Sequence, residues 1–390
     1  TLRRIDFTDT DANTDFEVCE YKNATLEFVN SKKPRSLQDG TWGIINQNGG
    51  NNGNQQNNPP IVNHLNTVSE NGILKYLGSY STGAVNADGG VAEIVKYNAD
   101  NKCMYLVSGQ FQSVDIVSLE AIGSANGMNP NFERKTRINV AELGNQYHFE
   151  AVDITSVDVN TVNDIVAIAV QAADYEQGTI VLLDYEGNYV THFKCGIQLD
   201  MITFTKDEKY LLTANEGEPR DGYGAGCIDP KGSVTVVELN YHNLSDSRVD
   251  DVDFTAFDLQ REQLINDKVL LKKDTLPSVD LEPEYIAIHD KFAYVSLQEN
   301  NAIATLDIEN RRFTSIKGLG LKDHNLAGNE LDLNKNDTIQ LQNENVYGIY
   351  MPDGLATVMI NGVTYVLTPN EGDAREWETY SDIDEKKING

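Results

Sequence analysis

The sequence is poor in positive charge, in sulfur and in long apolar runs, and each shortage closes off a class of protein. Lys and Arg number 31 against 60 Asp and Glu in 390 residues, a formal charge of −29. A field of that sign repels nucleic-acid phosphates and anionic lipid headgroups, which argues against a reader of DNA, RNA or membrane surfaces. No apolar stretch approaches the roughly 20 residues of a membrane helix, so no transmembrane segment is expected. The start, Thr-Leu-Arg-Arg-Ile-Asp, lacks the apolar core of a signal peptide, so any such peptide is expected to have been removed already. The 4 cysteines, Cys19, Cys103, Cys195 and Cys227, form no CxxC pair and no Cys/His cluster, which disfavours zinc. Their even number permits two disulfides, in any of three pairings, or buried free thiols. GxSxG, HExxH and P-loop patterns are also missing, and the 6 histidines are isolated. No catalytic constellation is legible.

What is present is β-signal. After residue 73, short runs rich in Val, Ile, Tyr and Thr alternate with Gly/Asn/Asp turns, as in IVKYNADNKCMYLVSG and KFAYVSLQENNAIATLDI. Helical periodicity is confined to residues 257–272. The tract NQNGGNNGNQQNN at 46–58 is low in complexity and buries nothing. We therefore divide the chain into an N-terminal segment (1–45), an Asn/Gly-rich linker or loop (46–72) and a β domain (73–390). Three N-x-[ST] sequons, at Asn23, Asn243 and Asn336, fall in polar, turn-like stretches where a glycan can be carried. With the acidity and the even cysteines they point to a secreted or cell-surface protein.

One unit repeats five times: an acidic residue opens an apolar strand, a short turn follows, and a second strand ends in polar residues. The copies begin EIVKY at Glu93, EAVDI at Glu150, DMITF at Asp200, EYIAI at Glu284 and DGLAT at Asp353, spaced by 57, 50, 84 and 69 residues. Their second strands are MYLVSG, IVAIAV, YLLTANEG, AYVSLQEN and TYVLTPNEG, and third strands follow the first four as SVDIVSL, TIVLLDY, SVTVVEL and AIATLDI. Such spacing suits four-stranded blades with loop insertions. The expected fold is all-β: a β-propeller, seven-bladed in full and incomplete in this chain, with a short N-terminal extension. A β-sandwich is the alternative, but it leaves the repetition unexplained. The chain stops just past the second strand of the fifth copy, so either residues 16–45 supply missing strands or the natural chain is longer; we expect the latter.

In a propeller the first strand of each blade lies beside the channel, and its start shares a face with the loop between the second and third strands. Rotation thus gathers Glu93, Glu150, Asp200, Glu284 and Asp353 around one opening, together with Glu216 and Glu371 from the loops. Crowded carboxylates raise one another's pKa until something neutralises them. A divalent cation does so, and an all-oxygen ligand set on flexible loops selects calcium, with magnesium or another divalent metal as the alternative. The competing reading is that each acid caps a turn or pairs locally with Lys or Arg.

Two loops share N-E-G-[ED]-x-R, ending at Arg220 and Arg375. Each Arg offers a fork for a phosphate or carboxylate, or else pairs with an acid of its own loop. Near the start, Asp9, Asp11, Asn13 and Asp15 alternate, and Glu20 falls at the twelfth position of a calcium loop, although Thr14 replaces the usual Gly. A solvated acidic segment is the plainer reading. Asp332-x-Asn334-x-Asn336 has similar spacing, but a glycan on Asn336 would prevent ligation.

The stretches GGVAEIVKY, DMITFTKDEKYLLTANEGEP, DPKGSVTVVEL, LEPEYIAI and MPDGLATVMINGVTYVLTPNEGDARE resemble the choice-of-anchor I family. That family includes cell-surface glycoproteins of echinoderm skeleton-forming mesenchyme and bacterial proteins often labelled alkaline phosphatases. The likeness runs from about residue 75 to the end, and nothing before it matches. The resemblance implies a β-propeller, secreted or tethered, associated with calcium and biomineral matrix; it carries over no catalytic residue. The function expected is a calcium-binding glycoprotein with a structural, adhesive or matrix role, in contact with extracellular matrix, mineral or copies of itself. The alternatives are a metal-dependent phosphatase on the same face and a subunit of an extracellular filament.

Overall fold

The computed structural model describes residues 77–86, 91–92, 94–122, 130–223, 226–334 and 336–375, and the backbone of four short strands outside those ranges. Two of these, β1 (Leu2–Arg4) and β2 (Phe16–Val18), form an antiparallel pair. Four four-stranded antiparallel sheets follow, each running in chain order from its first strand to its fourth. Blade 1 is β3 (Val95–Asn98), β4 (Cys103–Ser108), β5 (Ser113–Ser118) and β6 (Glu133–Asn139). Blade 2 is β7 (Asp153–Asn160), β8 (Ile165–Gln171), β9 (Gln177–Asp184) and β10 (Tyr189–Ile197). Blade 3 is β11 (Leu199–Phe204), β12 (Tyr210–Asn215), β13 (Ser233–Glu238) and β14 (Arg248–Asp253). Blade 4 is β15 (Ile286–His289), β16 (Phe292–Leu297), β17 (Ala302–Asp307) and β18 (Arg312–Gly318).

Three antiparallel pairs complete the order: β19 (Leu321–Asp323) with β20 (Tyr347–Ile349), β21 (Ala356–Ile360) with β22 (Val363–Leu367), and β23 (Glu376–Trp377) with β24 (Tyr380–Ser381). The first strands β3, β7, β11, β15 and β21 pack each against the next, so the sheets stand around an axis as blades of a β-propeller.

The sequence pattern explains the layering. In β8 (IVAIAVQ) every residue but the last is buried, because a neighbouring blade covers each face of the strand. Outer strands such as β14 (RVDDVD) keep no fully buried residue. The cores lie between blades. Tyr105, Ile116 and Val157 sit between blades 1 and 2; Ile180, Ile202 and Leu211 between blades 2 and 3; Leu212, Phe254 and Leu306 between blades 3 and 4. A smaller cluster of Ala287, Ile303 and Leu355 seats the fifth module on blade 4.

Helix content differs from the sequence reading. Residues 257–272 hold a 3-10 turn (Thr255–Gln260) and one short helix, Arg261–Asn266, which stops because Lys268 takes a positive φ of 69°. A second helix, Val140–Tyr147, joins blades 1 and 2; the side-chain oxygen of Asn139 caps it by accepting from the Glu142 N–H. Among the described residues Cys103, Cys195 and Cys227 are free thiols. Cys103 is buried between blades 1 and 2 and Cys195 between blades 2 and 3, so no disulfide joins them. Cys19 lies outside the described residues.

Candidate functional site

The connections from each fourth strand into the next blade, and the loops between second and third strands, emerge on one face of the ring. There the carboxylates of Asp200, Glu284 and Asp353 converge, with one oxygen from each inside 4.8 Å of the others. They come from three consecutive modules. Asp200 is the second residue of β11, Glu284 precedes β15, and Asp353 precedes β21. Backbone pairing holds the Glu284 segment beside β16, because its N–H donates to Ser296 O at 3.1 Å. The three line a cavity of about 340 Å³ that Ile94, Val107 and Met201 also line.

Two residues not singled out from sequence share this cavity. Asp153, the first residue of β7, faces it, and burial raises its pKa despite the nearby Arg220 charge. Gln298, just after β16, is 6% exposed, lines the cavity and has no hydrogen bond to its amide among the described residues. Asp153 was visible as the second acid of EAVDI; no pattern marked Gln298.

Glu371 lines the rim and is exposed. Glu150 is an exposed residue of the link between the Val140–Tyr147 helix and β7, and it lies away from the cavity lining. The assignment of Glu150 to the ring is corrected on this point: the chain turns once more before the strand begins, which leaves Asp153 as the acid that faces inward. Glu93, Asp9, Asp11, Asn13, Asp15, Glu20 and Asn23 lie outside the described residues.

A second group of acids adjoins the first. The amide Nε2 of Gln198 donates to Glu216 Oε2 at 2.6 Å and to Glu218 Oε2 at 3.0 Å. Burial, then the charges of Asp200, Glu218, Glu299 and Glu282, hold Glu216 well above the usual carboxylate range. Burial, then Glu216, Glu299, Asp200 and Glu282, do the same to Glu284. Glu299 is raised by burial against the opposing pull of Arg375.

The twin N-E-G-[ED]-x-R loops diverge in use. Arg375, side chain 2% exposed, donates through Nε and Nη2 to Glu282 Oε2 at 2.8 and 2.7 Å and through Nη2 to the Asp280 carbonyl at 2.8 Å. Its partners belong to the Pro277–Asp280 turn and the residues after it, not to its own loop. Neither a free anion fork nor a local ion pair describes it. Arg220 donates through Nη2 to Gln171 Oε1 at 3.0 Å and also takes no acid of its own loop. The motif asparagine is structural in the first copy: Asn215 is fully buried and donates to Ser233 and Thr235 hydroxyls at 3.1 and 3.0 Å.

The Asp332 stretch closes on itself. Asp332 accepts from the Asn334 and Gln340 N–H groups at 3.0 Å each, and Asn336 accepts from Thr338 N–H at 3.1 Å. Its oxygens are thus occupied by backbone, as in an Asx turn. Asn243 and Asn336 are both exposed. Among the described residues no helix is long and apolar enough to cross a membrane.

Several solved structures align with the chain at low identity. Hydrazine synthase of Kuenenia stuttgartiensis aligns at TM-score 0.43 and 11% identity, covering 72% of this chain and 71% of that one. A functionally unknown protein of Desulfotomaculum acetoxidans aligns at 0.38 and 11%, covering 70% and 62%. The Cps50 (Swd1) β-propeller domain of Myceliophteria thermophila aligns at 0.36 and 11%, covering 65% and 70%. No curated protein matches the chain. The choice-of-anchor I domain matches residues 93–389, so the chain belongs to the choice-of-anchor I family.

Proposed function

We propose that this is a secreted or cell-surface β-propeller that holds a divalent cation, calcium in preference to magnesium, at the mouth of its channel, and that it serves a structural or adhesive role. The observation that carries the reading is the convergence of Asp200, Glu284 and Asp353 within 4.8 Å from three separate modules. Three carboxylates so placed repel one another, and a divalent ion converts that repulsion into attraction. The donors are all oxygen, which favours calcium or magnesium over zinc or copper. Calcium takes 6–8 oxygens at irregular angles, and the Gln298 amide, the rim Glu371 and water in the cavity extend the three carboxylates toward that number.

Family membership supports a place outside the cell or on its surface. An acidic exterior of formal charge −29 suits a protein that meets calcium-rich matrix or mineral, and the exposed Asn243 and Asn336 are suited to glycans. No observation favours phosphoester hydrolysis: an anionic substrate would add negative charge to an acidic rim, and Arg375 is already held by Glu282.

Isothermal titration of the chelator-stripped full chain with calcium chloride tests the reading. Saturable binding is expected, weakened at least tenfold in Asp353→Asn with the far-ultraviolet circular dichroism unchanged. Equal affinity in wild type and Asp353→Asn would remove the basis for the site. Hydrolysis of a chromogenic phosphoester, dependent on added metal and lost in Asp353→Asn, would replace the structural role with an enzymatic one.

A further inference from the structure

The mouth cavity has room for more than an ion. Its volume, about 340 Å³, falls within the roughly 300–1,000 Å³ of small-molecule sites. An ion seated between Asp200, Glu284 and Asp353, whose oxygens lie within 4.8 Å of one another, takes up a small part of that space. The remaining lining includes apolar carbon from Ile94, Val107 and Met201 and the amide of Gln298.

Gln298 is 6% exposed, yet its amide takes no hydrogen bond among the described residues. In the repeat, Gln298 of AYVSLQEN stands where YLLTANEG has Asn215. Asn215 uses its amide N–H groups on the Ser233 and Thr235 hydroxyls, at 3.1 and 3.0 Å, whereas Gln298 lines the cavity. Buried polar groups normally find partners, so an amide that meets none in the protein points to a guest. Thr155 and Ser156 also line the cavity, but their hydroxyls are engaged: Thr155 donates to Leu199 O at 2.9 Å, and Ser156 accepts from Ile202 N–H at 3.2 Å.

Charge and hydrogen-bonding sense narrow the guest. Three carboxylates against one divalent ion leave one net negative charge, before Asp153 and Glu371 are counted. No Lys, Arg or His is among the described residues that line the cavity. A phosphate, sulfate or carboxylate guest adds negative charge and acceptors to walls already rich in both. A simple amine brings donors but no oxygen for the ion. A neutral polyol brings both: its hydroxyl oxygens replace water on a calcium ion, which takes 6–8 oxygens, and its O–H groups donate to carboxylates while accepting from an amide N–H. A sugar ring adds C–H faces to set against the apolar carbon of the lining.

We propose that the cavity binds a neutral sugar through the mouth calcium, with sugar hydroxyls on the ion and the Gln298 amide fixing the ring's orientation. The proposal rests on the reading of the mouth as a cation site, and it gives the adhesive role its ligand class, neutral glycans.

The test places the fluorescently labelled full chain on a printed array of neutral, sialylated and sulfated glycans. It is run in chelator and in calcium chloride at a level that saturates each variant by isothermal titration. Wild type is expected to retain neutral glycans in calcium and to release them in chelator. Gln298→Glu keeps an oxygen but loses the N–H donors, and should bind the retained glycans at least tenfold more weakly. Ile94→Ser, at a half-buried position, removes apolar carbon without touching an oxygen donor; it should weaken glycan binding in the same sense and serves if Gln298→Glu does not fold. Calcium binding without retention of any neutral glycan would overturn the sugar site and leave the cation site standing. Retention confined to sialylated or sulfated glycans, or neutral-glycan retention undiminished by chelator or by both variants, would overturn it as well. Absence of calcium binding in the wild type would remove the cation reading itself and the calcium-bridged sugar with it.

Discussion

Arg220 and Arg375 close two copies of one motif, yet one is a half-buried donor to Gln171 and the other the counter-charge of a buried acid. The difference predicts a difference in stability. Arg375→Met strands Glu282, side chain 2% exposed, without its partner, and should destabilise the fold by about 3–5 kcal/mol in urea denaturation above pH 8, where Glu282 is ionised. Arg220→Met removes one hydrogen bond from a charged guanidinium to a neutral amide and should lose less, about 1.5–3 kcal/mol. The two motif glycines diverge in the same way. Both have positive φ, 70° at Gly217 and 82° at Gly372, but a Cβ at Gly217 would sit 2.6 Å from the Lys231 carbonyl while one at Gly372 meets nothing within 4 Å. Gly372→Ala should therefore cost about 1–2 kcal/mol, the strain of the left-handed backbone, and Gly217→Ala clearly more, as read by thermal denaturation.

Glu282 adds a pH dependence. Burial, assisted by Glu299 and Asp280, outweighs Arg375 and pushes its pKa up to about 8. A carboxyl whose folded pKa lies above its unfolded one favours folding below the unfolded value and loses that contribution as pH rises through the folded one. The calcium-free protein should therefore lose stability between about pH 5 and pH 8, and Glu282→Gln should flatten the loss. A urea midpoint that rose over that interval would contradict this assignment.

The strands were legible because a propeller blade is a local object. IVAIAV, TIVLLDY and AIATLDI read as buried strands from composition alone, and the structure places them in β8, β9 and β17. The helices were not. Val140–Tyr147 has only two buried residues, too few for a periodic apolar face, whereas 257–272 contains enough Leu and Ile to mimic one. What ends that helix is backbone geometry at Lys268, which hydrophobic pattern does not encode. Local cover also decides local stability. In the β21–β22 pair Met359, Ile360, Val363 and Leu367 are each at least half exposed, while β8 is sealed between blades. Amides of β21 and β22 should exchange with deuterium well before those of β8 and β9, a contrast that hydrogen-exchange mass spectrometry resolves directly.

For the whole molecule the governing quantity is charge. A formal −29 spread over 390 residues loads the folded state with self-repulsion, and the acids of the channel concentrate it where water is scarce. A cation bound only by the folded chain stabilises it by about 2.7 kcal/mol at a hundredfold excess over the dissociation constant. Calcium chloride should thus raise the melting temperature well beyond sodium chloride of equal ionic strength, and chelator should reverse the gain. If the two salts acted alike, screening alone would account for the effect.

Repetition, written into the order of residues, was enough to imply an axis, blades and a face where acids meet, because each blade forms from residues close together in the chain. It could not say which acids meet. Asp200, Glu284 and Asp353 converge whereas Glu150 does not, since the length of the link before β7 sets which carboxylate turns inward. The partners of Arg375, the open amide of Gln298 and the thiols of Cys103 and Cys195 were likewise settled only when distant blades packed together. Burial and long-range electrostatics are properties of that packing, and no short stretch of sequence contains them.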